Sequence, residues 1–547
     1  MNFIFLLFFA GALSLFVPKN RLSFLWPFVS LSVVVYALYS LYVQQNQADF
    51  LINWNALPNL PVTIGINPLH WKSGALGVLL LSALVLYYSS LDSREPKKQL
   101  LGGLVLLNSV LMLIAFSSAN YIQLLAAVGI SDVLVYMAIN NFEAKRQYIY
   151  GNFLADFMLL NIMAVILGQQ GGIDISKVEE YSRHWHHRDF ISILLLICIF
   201  IKSGLVFFHT AYQKMSTISF NRLNFILFAT TPLMGMIVLH LLQDVLLISK
   251  YSYPLLKIFS VATVLWGTVG VMIIDNLKRR SIYMSMLFWG LSFAAFSWLP
   301  EFSGRTFFIF LISAFLFGNV LMLAEKAASD EILVSHMGGF SSALKITLIA
   351  SIISALLYIG AWWCFANQVK WLALGGVVFL TFVTAHLLSE IYSAPIRANE
   401  WVMARLKNPS FLFFIPIVGG AAVLFFEYLT FWPYVMGFAM LWMAIFMAHP
   451  FSRLAVLYDS ERIQKNDLIT VMYNVLIFAP LQILGRILRL TIDFVFIERT
   501  VIASVKNIVH LMIFVFQRLH KNYIGYIFFV FLGVVIVFCA YFNGVKQ

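Results

Sequence analysis

Lys202 stands in the run ICIFIKSGLVFFHTAY, after roughly two helical turns of apolar residues. Two carboxylates occupy comparable apolar surroundings: Asp156 in GNFLADFMLLNIM and Asp132 in VGISDVLVYM. An ionised side chain placed in hydrocarbon costs about 2.5–3.5 kcal/mol on insertion scales, so each needs a physical reason to be there. Burial disfavours the charged form of a lysine and an adjacent carboxylate favours it. A lysine whose partner moves can therefore load and release a proton. A fixed ion pair tying three helices together would also account for these residues, and the charges alone leave both readings open. Glu325, Lys326 and Glu390 sit near helix ends, where long side chains reach the interface cheaply.

The elements that must hold these groups follow from composition. Of 547 residues, 61% are hydrophobic and only 11% charged, with 52 phenylalanines. A water-facing surface needs about 25% charged residues, so this composition describes a chain solvated by lipid. A span takes about 20 apolar residues, and the sequence divides into roughly sixteen of them. They lie near 2–16, 22–43, 71–92, 99–117, 119–140, 147–168, 190–212, 222–243, 254–275, 281–299, 306–325, 341–363, 371–391, 409–430, 432–448 and 521–543. The fold class is an all-α polytopic membrane protein. Basic residues alternate between its junctions. Lys19, Arg21, Lys97, Lys98, Lys145, Arg146, Lys214, Lys278, Arg279, Arg280, Arg397 and Arg405 share one side, and few face the other. Cytoplasmic loops carry such an excess, which puts the N-terminus outside. The net charge of +12 needs no nucleic-acid partner to explain it.

Between about 450 and 520 charged residues return among apolar runs such as IFAPLQILGRILRLTIDFVFI. That mixture predicts an amphipathic helix lying along the inner membrane face. The Pro- and Asn-rich segment 44–70 predicts an ordered outer loop, and EEYSRHWHHRD at 179–189 an exposed polar loop. A metal site is conceivable at the histidines of the latter, but no acid or cysteine completes a convincing ligand set, and the exposed loop is the expected reading. Cys198, Cys364 and Cys539 are scattered through spans and cannot ligate an iron–sulfur cluster. With no Gly-rich dinucleotide fingerprint either, no cofactor is expected.

Several motifs, in order, resemble those of a known family. KSGLVFFHT at 202–210 is similar to K-S-A-x-x-P-x-H-T-W in the broken seventh helix of the antiporter-like, proton-translocating membrane subunits of respiratory complex I. NFLADF at 152–157 is similar to the family's N-R-x-G-D-F, and DNLKRRSIYMSM at 275–286 to D-I-K-R-x-x-A-Y-S-T. MYNVLIFAPLQILGRILRLTID at 472–493 resembles the end of the distal subunit, NADH-quinone oxidoreductase subunit L, whose lateral helix runs along its neighbours. The resemblance extends to the Mrp antiporters and implies two inverted five-helix repeats, each with an interrupted helix holding a lysine. It implies N-terminal helices over 1–98, repeats over 99–247 and 248–395, and further helices over 396–449. A lateral segment over 450–520 and an anchoring helix over 521–547 complete the chain. It gives proton-translocation roles to Lys202, Asp156, His209 and Lys278, with Asp132 about one turn from a missing fifth-helix glutamate.

This chain departs from the family mostly by losing charge. Leu227 stands where the eighth helix has histidine, Ser313 and Phe317 where the eleventh has histidine and lysine, and YIGAWWCFA lacks the twelfth-helix lysine. The second repeat is therefore expected to be electrically silent, leaving a single half-channel at Lys202 or none. The resemblance implies a non-catalytic subunit of a multi-subunit complex in a bacterial inner (plasma) membrane, with other membrane subunits as partners. A membrane subunit of a two-component inorganic-carbon (bicarbonate/CO2) uptake system, a cation/proton antiporter subunit and a non-transporting structural subunit remain alternatives.

Overall fold

A computed structural model describes residues 2–16, 28–30, 32–33, 51–57, 60–65, 68–91, 97–118, 120–170, 175, 188–247, 249–299, 303–328, 333–334, 337, 344–393 and 415–417. The expected spans at 432–448 and 521–543, the lateral segment and the three histidines of the 179–189 loop lie outside the described residues, as do most of the expected spans at 22–43 and 409–430.

The described chain is a helical bundle. In order it comprises α1 (Asn2–Phe16), α2 (Pro68–Leu91), α3 (Lys98–Phe116), α4 (Tyr121–Ala138), α5 (Phe142–Gln170) and α6 (Arg188–Ser203). The short α7 (Thr210–Gln213) leads into α8 (Phe220–Ala229), α9 (Thr231–Leu241) and α10 (Gln243–Leu247). Then come α11 (Ser252–Ile273), α12 (Leu277–Trp298), α13 (Gly304–Ala327), α14 (Lys345–Ala366) and α15 (Lys370–Leu388). Eight helices among the described residues are long and apolar enough to cross a membrane, counting α8 and α9 as one. Where the sequence predicts an outer loop, β1 (Leu51–Leu57) and β2 (Leu60–Gly65) pair antiparallel, with Trp54 opposite Val62. The Pro-Asn pair between these apolar runs is a turn signal.

Helix starts follow local chemistry. Asn120 Oδ1 accepts from Gln123 N at 2.7 Å and Asn276 Oδ1 from Arg279 N at 3.1 Å, capping α4 and α12. Asn141 Oδ1 accepts from Glu143 N and Ala144 N at the start of α5. Each short side chain satisfies a backbone donor that the first helical turn leaves without a partner.

The α8–α9 pair is enclosed by the other helices, whereas α5 exposes Phe153, Phe157, Leu160 and Val165. Such an apolar outer face is at home against lipid or another hydrophobic helix. Basic ends converge at one end of the bundle. Lys214 is 3.7 Å from Glu143, and Arg279 Nε donates to Ser216 Oγ at 3.4 Å.

Two helices are interrupted in the interior. After Ser203 the chain leaves α6 with Gly204 at φ 62° and Phe207 at φ 74°, both left-handed. Glycine takes that conformation without penalty, whereas phenylalanine does not. The polar groups freed by the break find partners: Tyr212 Oη donates to Lys202 O at 2.7 Å, and Val206 N to Thr263 Oγ1 at 3.1 Å. A second interruption separates α8 from α9 at Thr230 (φ −135°, ψ −123°). Pro232, in the first turn of α9, has no N–H to continue the helix and disfavours a helical residue before it. Trp289 Nε1 donates to Leu227 O at 2.9 Å and Asn108 Nδ2 to Ala229 O at 2.8 Å. Unpartnered groups at this depth would each cost several kcal/mol. By contrast α14 runs unbroken over Lys345–Ala366.

Candidate functional site

The two interruptions meet at one ion-pair cluster. Lys202, in the last turn of α6, is 1% exposed, and its Nζ lies 2.6 Å from Asp132 Oδ2 on α4 and 2.6 Å from Asp156 Oδ1 on α5. Three helices thus contribute one charge each. Asp132 Oδ1 has its own donors. Tyr148 Oη on α5 donates to it at 3.0 Å and Thr231 Oγ1, the first residue of α9, at 3.2 Å. The two hydroxyls also touch each other at 2.5 Å. Asp132 is enclosed, while the Asp156 side chain keeps 27% of its surface exposed beside the outer face of α5.

Asp132 and Asp156 both bind the ammonium directly. Tyr148, Thr231 and Asn108 carry no charge and were invisible to a search for ionisable residues. The Thr230-Thr231-Pro232 run was the available signal, because a proline after two hydroxyl residues marks a break. Asn108 supports the cluster from behind, accepting from Ser131 Oγ at 2.8 Å while bonding Ala229 O.

Packing at Lys202 depends on a glycine. A Cβ built on Gly235 of α9 would lie 2.3 Å from Ser203 Oγ and 3.4 Å from Lys202 Cβ. Gly235→Ala is therefore expected to push α9 from α6 and destabilise the protein by about 1–3 kcal/mol. A lowered thermal midpoint in lipid nanodiscs would register it, and an unchanged midpoint would show that α6 and α9 adapt freely.

His209 does not join the ion pairs. It is buried at the break with its ring centroid 5.6 Å from that of Tyr283 and 6.4 Å from that of Trp266, and neither ring nitrogen has a hydrogen-bond partner. It lines, with Ser203, Tyr212 and Ser285, a cavity with room for about one water molecule.

Lys278 lies elsewhere, 3.2 Å from Glu325 at the start of α12 and the end of α13. Glu325 and Glu390 do not reach towards an interface as expected. Both are buried, Glu390 receiving a hydrogen bond from Arg280 Nη1. Helix packing supplies a cation to each, which serves a carboxylate better than an extended side chain does. Residues 248–395 thus hold buried charge, though not where the family has it. Phe317 stacks on Tyr358, and Phe310 packs against Tyr358, Trp362 and Phe365. Ser313 Oγ donates to the carbonyl of Phe310. An aromatic cluster therefore surrounds Ser313 and Phe317.

Among the described residues no group of histidine, cysteine or acidic side chains is arranged to hold a metal. Cys198 and Cys364 are buried thiols, and Cys198 Sγ donates to Ala155 O at 3.1 Å.

Fold and site together define a polytopic helical membrane protein with a buried lysine shared by two carboxylates where interrupted helices meet. The structure is similar to a chain of the Mrp complex from Dietzia sp. DQ12-45-1b, with a TM-score of 0.62 and 16% identity over 100% of this chain and 62% of that one. It is also similar to a chain of the membrane-bound sulfane sulfur reductase, an archaeal respiratory membrane complex. There the TM-score is 0.61 and the identity 15%, over 82% of this chain and 96% of that one. The chain thus spans less than two thirds of the length of the Mrp chain it matches. At these identities the likeness is one of fold, and it bears out the resemblance to antiporter-like membrane subunits at that level. Neither a family model nor a curated protein matches the sequence.

Proposed function

We propose that this chain is a membrane subunit of a complex I-like, proton-translocating assembly, with one proton-loading site at Lys202. The observation that carries the reading is the Lys202 ammonium held 2.6 Å from each of two carboxylates at an interrupted helix. With all three groups ionised the cluster has a net charge of −1, which one additional proton would neutralise. The N-terminal end of α9, where Thr231 meets Asp132, carries a partial positive charge that offsets part of this excess. Transfer of the ammonium from one carboxylate to the other would change which of them takes that proton. His209 and its cavity are the polar neighbours on the far side of the break, and we assign them the next step of the path. Lys278, held by Glu325, has a supporting role at the end of the bundle.

The fold likeness to chains of an Mrp complex and a respiratory membrane complex supports placement among other membrane subunits in a cell membrane. The division into repeats at 99–247 and 248–395 and the N-out orientation belong to the same proposal. The aromatic cluster at Phe310, Phe317 and Tyr358 favours a single half-channel, because protons do not cross stacked rings without polar groups to hold water. No observation favours inorganic-carbon uptake.

The test is proton flux in proteoliposomes holding the native complex. Lys202→Ala is expected to abolish flux while partner subunits still co-purify, and Lys202→Arg to leave it strongly reduced. Wild-type flux in Lys202→Ala would refute the proton site. Loss of the partners in that variant would show that the cluster serves assembly instead.

A further inference from the structure

A second set of buried ionisable groups lies on α12, α15 and the turn that follows α15, apart from Lys202. Arg280, His386 and Glu390 are 0%, 3% and 1% exposed. Arg280 Nη1 donates to Glu390 Oε2, and Arg280 Nε to Ile274 O. On the other side of the carboxylate, His386 Nε2 stands 3.5 Å from Glu390 Oε1, one helical turn along the same chain. Glu390 thus lies between a guanidinium and an imidazole. Beyond Leu388 the backbone changes to a turn of π-helix, Ser389–Ser393, a rare form that is frequent at functional sites.

Arginine does not release its proton in a protein, so charge in this set can change only at the histidine or the carboxylate. Among the described residues, the charged groups facing His386 are Glu390 from its own helix and Arg280 from α12, while α11 contributes the Met272 backbone. We propose that His386 and Glu390 form a second proton-binding site, independent of Lys202. A proton taken up from water gives the imidazole both of its ring N–H groups, leaving hydroxide in solution. The Arg280–Glu390 pair then becomes a three-membered array in which the imidazolium and the guanidinium share one carboxylate. Loading the site weakens the hold of α12 on Glu390.

Infrared difference spectra of the full-length protein in lipid nanodiscs, stepped between about pH 8 and pH 5, read the site directly. Wild type should show an imidazole band change together with a shift of a carboxylate stretch. His386→Gln should lose both contributions. Glu390→Gln should lose the carboxylate shift and alter the imidazole band. Lys202→Ala should leave both, so a failure of the Lys202 reading is distinguishable from a failure here. A flat difference between wild type and His386→Gln would overturn the proposal. Should His386→Gln not fold, ring-labelled histidine in wild type and Glu390→Gln gives the same information, and identical labelled bands in the two would overturn it.

Discussion

Asp132→Ala is expected to destabilise the protein by about 3–5 kcal/mol, the range for removing one partner of a buried ion pair. Asp132 is the hub of its cluster, accepting from Lys202, Tyr148 and Thr231 and so joining α4, α5, α6 and α9. Its loss leaves the hydroxyls of Tyr148 and Thr231 with only each other and the ammonium with a single carboxylate. Asp156→Ala should cost about 1 kcal/mol, nearer the value for an exposed pair, because Asp156 is partly open and Lys202 keeps Asp132. Thermal midpoints of the two variants in lipid nanodiscs give the comparison. The reverse order would identify Asp156 as the principal counter-charge. Equal, small shifts would mean that Lys202 is held by something other than its carboxylates.

Arg280→Ala is the second large effect, again about 3–5 kcal/mol, since it leaves Glu390 buried without its guanidinium. The informative comparison is the double substitution Arg280→Met with Glu390→Leu. Replacing both members of a buried pair with apolar groups of similar size is often neutral or even stabilising. The double variant should therefore recover most of the stability lost by Arg280→Ala. If it stays as unstable as the single variant, the Arg280 contact to Ile274 O contributes more than the ion pair.

Much of this was legible from the residues. Apolar runs of spanning length placed the long helices, because hydrocarbon rejects polar side chains all along a span. Lys202, Asp132 and Asp156 stood out because an ionisable residue among apolar neighbours must be explained. The break after Lys202 was implied by its motif, although Gly204 and Phe207 make the turn here in place of the family's proline.

Other features depend on where helices cross. Tyr148 and Thr231 look like ordinary helix residues until an interrupted α9 presents Thr231 to Asp132 across 99 residues of sequence. Glu390 reads as a helix-end acid with water in reach, and only the tertiary fold encloses it with Arg280, 110 residues away. By itself the sequence determined that this is a membrane-spanning helical protein and which of its charges are out of place in lipid. Both are matters of local solvation, set residue by residue. Only the tertiary structure decided which charges pair, because a partner is chosen by crossing geometry and by the interruptions at Gly204 and Thr230. Hydropathy does not encode either of these.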